Sequence, residues 1–391
     1  MVSSQELRVG ISLTGGKQWS GGVSFIEAHV KTLSTLPRAE RPRLFLVITD
    51  DYQNDFACYR PFVDIFDGII YFPGNPYTPH DLTYPPLIPC ASQDDLFTQI
   101  DFYFPVTLGV MPYRPAASWI PDFQHKYLPE LFSPPEIAAR DELCRRVAEQ
   151  ASLLYCTSQA VEKDFRRFYP AAQATTRILT LPAYPEDTWF NGDPARTQEK
   201  YGLPVRFALC ANQFWLHKNH RRLFAAIALL RRRGIDIHLA CTGLPHDYRS
   251  PGYFHTLLRD LEELGIVDLV HILGLLPRLD QIQLIRRSLF VIQPSLFEGL
   301  SLIVQECKAL GKNIIVSDLD IFTEDACGIP FDRTDPQDLA DKIANLSALT
   351  SPGPDLARET AAKTRAIGLA EHYARDFCRL AREARTICKA Y

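Results

Sequence analysis

The chain has 391 residues, of which 46% are hydrophobic, 23% charged and 11% aromatic, and its formal net charge is -4. That composition excludes a disordered or fibrous chain, and the lack of a basic excess argues against a dedicated nucleic-acid binder. The length exceeds one ordinary core and sets an expectation of two domains. Short basic clusters such as Arg145-Arg146 and Arg231-Arg232-Arg233 read as solvated helix faces or ends. The ten cysteines include no CxxC pair, so a zinc knuckle or redox motif is not expected. They read as small buried residues of a reducing compartment. The first ten residues carry no signal-peptide apolar core, and no run approaches a membrane-spanning length without charge. A cytoplasmic protein is expected, and peripheral contact with the inner membrane stays open.

Residues 8–13 read as a short buried strand ended by Gly15-Gly16, and Gly21-Gly22 opens a helix whose Ile26, Val30 and Leu33 share one face. Strands are predicted at 44–48, 69–72 and 105–110, with a proline- and tyrosine-rich loop over 71–89. A helix is expected over 135–151, a strand over 152–156, and a helix capped by Ser158 that runs to about Tyr169. Between Pro182 and Pro204 four prolines and few aliphatic residues mark a connection. The alternation then resumes, with strands at 207–211, 237–242, 270–273, 290–293 and 313–317. Helices are expected between them at 219–233, 253–264, 279–287 and 301–310, then at 336–349 and 356–391. Such alternation predicts an α/β protein: two Rossmann-like, doubly wound parallel sheets facing a central cleft. The expected boundaries are residues 1–183, a linker 184–204, a second domain 205–365 and a helix 366–391 packing back towards the first domain.

Ligands of doubly wound sheets bind where strand ends meet helix N-termini. The segment from Pro294 to Glu306, PSLFEGLSLIVQE, follows a buried strand and opens a helix. Glu298 falls in its loop and Glu306 about two turns into the helix, with Gly299 and Ser301 in the turn. The amides from Gly299 to Leu302 would face out of the helix N-terminus and suit a diphosphate. Six helical steps rise about 9 Å, comparable to the span from a transferred sugar to the ribose of its nucleotide. An isolated pair of acids at this spacing would be a first-turn acid and a solvated one. Here the strand, Pro-Ser and glycine context points to a site.

This segment resembles the acidic-pair motif of glycosyltransferase family 4, and the resemblance is strongest over residues 207–330. It implies a GT-B fold with an acceptor-side first domain and a nucleotide-sugar-binding second domain, and a retaining hexosyltransferase that requires no metal. The donor would be a nucleotide diphosphate sugar. The acceptor would be a glycan or lipid-linked saccharide in polysaccharide biosynthesis of the O-antigen, capsule or exopolysaccharide type. By the same resemblance Glu298 is the acid near the donor sugar, Glu306 the ribose-binding acid, and Gly299, Leu300 and Ser301 the phosphate cradle.

Lys218, in NQFWLHKNH, matches a lysine that neutralises a leaving diphosphate, and Gln213 stands at the family's arginine position. Arg278 is a candidate substitute for that charge, and the Leu275–Leu276 backbone, Leu276 in particular, for the nucleobase contact. Gly16, Gly21 and Gly22 are candidates for the donor phosphates, although tight turns need glycine anyway. Asp122 matches an acid of a family loop in which Pro121 replaces the usual histidine. His125 could take over that role, or be polar surface while Asp122 caps a turn. The alternative function is a non-catalytic GT-B-like protein that binds a glycan or nucleotide with a partner. An NAD oxidoreductase is disfavoured because no strand runs into G-x-G-x-x-G. No pyridoxal-phosphate lysine site supports a phosphorylase.

Overall fold

The computed structural model describes residues 6–16, 19–48, 56–73, 81–324 and 328–388. They form two compact units. Unit 1 comprises Met1–Phe123, Ser133–Tyr184 and Gly368–Tyr391, and unit 2 comprises Gln124–Phe132 and Pro185–Ile367.

Unit 1 begins with β1 (Arg8–Ser12), α1 (Ser20–Leu33), β2 (Arg43–Ile48), β3 (Gly68–Tyr71) and β4 (Leu87–Pro89). It continues with α2 (Gln93–Gln99), β5 (Phe102–Thr107) and β6 (Ala116–Trp119). The chain then gives α3 (Gln124–Tyr127) to unit 2 and returns with α4 (Pro134–Gln150), β7 (Leu153–Cys156), α5 (Gln159–Phe168) and β8 (Thr175–Ile178). The eight strands form one parallel sheet in the order β4-β3-β2-β1-β5-β6-β7-β8. Val9, Ile11, Leu46 and Ile48 are all fully buried, which accounts for strands that read as unbroken apolar runs. Caps set the helix starts. Ser133 and Glu136 form a reciprocal capping box on α4, and Ser158 accepts from the Val161 amide on α5.

Unit 2 starts with α6 (Asp187–Phe190) and α7 (Pro194–Lys200), followed by β9 (Phe207–Ala211), α8 (His220–Arg232), β10 (His238–Thr242), α9 (Tyr253–Glu263) and β11 (Val270–Gly274). Then come α10 (Arg278–Arg287), β12 (Val291–Gln293), α11 (Leu302–Ala309), β13 (Ile314–Ser317), α12 (Asp320–Thr323), β14 (Ile329–Phe331), α13 (Pro336–Leu349) and α14 (Leu356–Ile387). Its parallel sheet runs β11-β10-β9-β12-β13-β14. Strand order therefore reverses between β1 and β5 in unit 1, and between β9 and β12 in unit 2. The loops after those strands open at these switch points, where such sheets bind ligands.

The predicted elements of the second half lie within one residue of the observed ends from β9 to α11. Segment 184–204 is not a free linker. It folds into α6 and α7 and belongs to unit 2 from Pro185. Asp193 caps α7 by accepting from the Ala195 and Arg196 amides, and the Gln283 and Arg286 side chains of α10 donate to the Trp189 carbonyl. The expected loop 71–89 ends in a strand, β4, and its residues 74–80 lie outside the described residues. The C-terminal helix starts at Leu356, as its helical pattern predicts, ahead of the expected domain boundary at 366. It is one 32-residue helix that enters unit 1 at Gly368.

Candidate functional site

Two polar residues end the central strands of unit 2 and start a chain of hydrogen bonds. Asn212, just after β9, donates from Nδ2 to Gln293 Oε1 of β12 at 2.9 Å. That contact turns the Gln293 amide nitrogen towards Glu298 Oε1, 2.8 Å away, and Ser295 Oγ, 3.1 Å away. Lys218 Nζ reaches the same Glu298 oxygen at 2.6 Å. The pair is well enclosed, the lysine side chain being 17% exposed and the glutamate 8%. An ammonium has three donors and Glu298 takes one of them.

The backbone holds this geometry. Lys218 closes a short 3-10 turn, after which Asn219 adopts the left-handed region at φ 59°. There its Nδ2 donates to the Pro294 carbonyl at 3.0 Å, while the Leu296 amide donates to the His217 carbonyl at 2.8 Å. The loops after β9 and β12 are thus latched in both directions. Gly243, at φ +131°, lets the first of them pass: a Cβ there would stand 2.3 Å from the Asn212 carbonyl oxygen. Gln213 is half-buried in the same loop.

α11 begins at Leu302, so Glu306 lies just over one turn in rather than two, and Gly299, Leu300 and Ser301 form the approach to the helix. Ser301 occupies the N-cap position but makes no side-chain cap bond, so its hydroxyl leaves the first amides of α11 uncapped. Glu306 is buried, and its Oε1 pairs with Arg278 Nη1 at 2.7 Å. Its Oε2 is buried with no hydrogen-bond partner. Burial pushes the Glu306 carboxyl above its ordinary range, and the Arg278 charge opposes that. Arg278 itself is half exposed, opens α10 and lies 5.3 Å from the Trp189 ring. The expected substitute for the cation at position 213 is thus engaged with the second acid. Leu276 is half-buried beside the exposed Leu275.

Of the segment Gln124–Phe132, which crosses into unit 2 as a strap, the sequence reading singled out His125 alone. Tyr127 packs on Phe297, next to Glu298, with ring centroids 5.2 Å apart. Arg249, in the loop after β10, donates to Gln124 Oε1 at 2.8 Å and lies 4.9 Å from the Phe132 ring. His125 is part of the strap and is buried against Phe132, not polar surface. Asp122 lies in unit 1, half-buried, two residues short of the crossing. Asn212 and Gln293 were also missed. Their signal was present: a polar residue at the carboxyl end of an otherwise apolar strand.

In unit 1 the loop after β1 places Gly15 and Gly22 back to back. A Cβ on Gly22 would stand 2.9 Å from Gly15 Cα and 3.0 Å from the Thr14 carbonyl oxygen. Gly22 is thus explained by packing. Gly21 is exposed, and buried Gly16 exchanges backbone bonds with Trp19 at 3.1 and 3.2 Å.

Among the described residues, no three His, Cys, Asp or Glu side chains are grouped to hold a metal ion. No helix of the described residues is long and apolar enough to cross a membrane.

Residues 195–365, inside unit 2, match the family described as glycosyl transferases group 1. Over almost its whole length the chain also superposes on solved glycosyltransferase structures. The fold is GT-B. Sucrose-phosphate synthase from Thermosynechococcus elongatus gives a TM-score of 0.62 at 13% identity, covering 97% of this chain and 99% of that one. The glycosyltransferase from Rickettsia africae ESF-5 gives 0.59 at 15% identity, covering 97% and 99%. Anabaena HepE in complex with UDP and glucose gives 0.57 at 16% identity, covering 98% of each chain. No curated protein sequence matches the chain significantly.

Proposed function

We propose that this chain is a retaining glycosyltransferase that moves a hexose-type sugar from a nucleotide diphosphate sugar to a glycan or lipid-linked acceptor in polysaccharide biosynthesis. The observation that carries the reading is the Lys218–Glu298 pair at the β9/β12 switch point, beside the uncapped N-terminus of α11. Four residues of helix further on, a rise of about 6 Å, Glu306 Oε2 is a buried acceptor with nothing to accept. A diphosphate between the two acids would meet the ammonium and the helix amides. A sugar hydroxyl would bond Glu298, and a ribose hydroxyl would donate to Glu306 Oε2.

Retention requires either a covalent intermediate on a carboxylate beneath the anomeric carbon or attack on the face the diphosphate leaves. Glu298 is poorly suited to be that nucleophile, because its Oε1 already accepts from Lys218 and Gln293. The second mode fits better. The bond from the anomeric carbon to the diphosphate oxygen breaks, and the acceptor oxygen bonds the same face. The acceptor proton passes to a phosphate oxygen. Lys218 and the α11 amides stabilise the charge that grows on the diphosphate. No step calls for a metal. A lipid-linked acceptor would place the reaction at the cytoplasmic side of the inner membrane, with the protein in peripheral contact.

The test is a panel of UDP, GDP and ADP sugars with the full chain, read for hydrolysis or transfer, beside Lys218→Ala and Glu298→Ala. Turnover by the parent and at least a hundred-fold loss in both variants is expected. Near-normal rates in both variants would defeat the assignment. Nucleotide binding with no turnover of any sugar would favour a binding protein that acts with a partner.

A further inference from the structure

Arg249 is an enclosed cation beside the candidate site that the transfer chemistry leaves without a role. Its side chain is 6% exposed, and the Phe132, Trp215 and Tyr248 rings lie 4.9, 5.3 and 5.7 Å from its guanidinium carbon. Nη1 donates to Gln124 Oε1 at 2.8 Å, and Nη2 lies 3.1 Å from His217 Nδ1. Nε stands 3.8 Å from Asp247 Oδ1 and is buried without a hydrogen bond. A guanidinium only donates, so His217 Nδ1 must accept and its proton must sit on Nε2.

We propose that Arg249 is a positioning residue: it fixes His217 with Nδ1 as acceptor and so sets the turn that carries Lys218. The relation to the reaction rests on the transferase reading; the relation to His217 does not. Three contacts tie the same turn to the loop after β10. The Leu216 amide donates to Asp247 Oδ2 at 3.0 Å, the Trp215 indole to the His246 carbonyl at 3.1 Å, and the Phe214 amide to the Leu244 carbonyl at 3.2 Å. On its other side His217 accepts Leu296 from the Glu298 loop through its carbonyl. His217 is thus the joint between the two loops, and Arg249 is what orients its ring.

The charges around the joint agree with this. Burial, then Lys218, Arg249 and His220, hold the His217 imidazole well below its ordinary range, so it stays neutral. Asp247, also enclosed, balances Arg249. Without the guanidinium, His217 would lose one repelling cation and the donor that holds Nδ1 as acceptor, and both changes favour its protonation.

The experiment is ring nitrogen NMR of histidine-labelled full chain, for the parent, Arg249→Gln and Arg249→Lys, across pH 5 to 8. The parent is expected to show His217 as the Nε2–H tautomer with no titration in that range. In Arg249→Gln the ring should titrate or change tautomer, with Arg249→Lys nearer the parent. Calorimetry with UDP, GDP and ADP at neutral pH should show affinity at least ten-fold weaker in folded Arg249→Gln. A parent His217 that titrates between pH 5 and 8, or carries its proton on Nδ1, overturns the inference. So does a folded Arg249→Gln that melts lower but keeps the parent's His217 signal and nucleotide affinity. Should Arg249→Gln fail to fold, the parent spectrum and Arg249→Lys still decide. If the parent binds none of the three nucleotides, the transferase reading fails while the tautomer result stands alone.

Discussion

Lys218 and Glu298 are 80 residues apart in sequence and meet at 2.6 Å where β9 and β12 lie side by side. Both side chains are enclosed, so each is the other's main compensation for lost water. Removing one leaves a charge with weaker partners, and removing both leaves none. Lys218→Met and Glu298→Gln should therefore be non-additive, with a coupling energy of about 1–2 kcal/mol in a urea double-mutant cycle. Each single change should also lower transfer about a hundred-fold or more. Additive stabilities would mean that the pair is not formed in solution.

Glu306 makes a prediction in which stability and binding move in opposite directions. Its carboxyl is raised by burial, and an acid raised in the folded state contributes stability below its unfolded value, about pH 4.3. That contribution is lost as pH rises through the folded value. Glu306→Gln should therefore raise the melting temperature at pH 7 and have little effect near pH 4. Arg278→Ala removes the opposing charge and should do the reverse, destabilising at pH 7 by about 1 kcal/mol and less near pH 4. Nucleotide affinity should fall at least ten-fold in Glu306→Gln if Oε2 meets a ribose hydroxyl. A melting gain that persists unchanged at pH 4 would rule out the ionised buried carboxylate.

How much of this was readable from sequence depends on the range of the signal. The strands from β9 to β13 and their helices announce themselves by buried apolar runs and helical spacing, and so does the strand–turn–helix that sets Glu298 and Glu306. The edge strands β4 and β14 are as short as β12 but, unlike it, are not fully buried, so no apolar run marks them. α6 and α7 were hidden by prolines that look like breakers. Pro194 instead sits in the first turn of α7, where its missing amide costs nothing. The strap's contacts were invisible for a different reason. Gln124 and Phe132 gain their meaning from Arg249, more than a hundred residues away, and no local pattern encodes such a contact.

The glycines of α1 separate packing from binding. A methyl on Gly22 would press on the Gly15 backbone at 2.9 Å, whereas one on Gly21 meets only the Trp19 indole, at 3.2 Å. Gly22→Ala should destabilise by about 1–3 kcal/mol. Gly21→Ala should be neutral or stabilising by up to about 1 kcal/mol, since alanine favours a helix more than glycine does. If Gly21 also approaches donor phosphates, its alanine variant should bind nucleotide more weakly without melting lower. Equal losses of stability at both positions would contradict the close approach of Gly15 and Gly22.

The last prediction concerns acid sensitivity in unit 1. His29 of α1 is fully buried among Phe25, Phe104 and Phe377, and its Nδ1 lies 2.9 Å from the Tyr373 hydroxyl of α14. Burial pulls its imidazole down to about 3. A base lowered in the folded state contributes stability above its unfolded value of about 6.5. That stability is lost as pH falls from there towards the folded value, because the unfolded chain takes up a proton the folded one refuses. Over most of that window the loss is about 1.4 kcal/mol per pH unit. His29→Phe suits the aromatic surroundings and has no proton to take up. Urea titrations between about pH 7 and pH 5 should therefore show a shallower loss of stability in His29→Phe than in the parent. At pH 7 the variant should be weaker by about 1 kcal/mol, the bond to Tyr373 being gone. Parallel pH profiles for the two proteins would show that His29 is not the group that resists protonation.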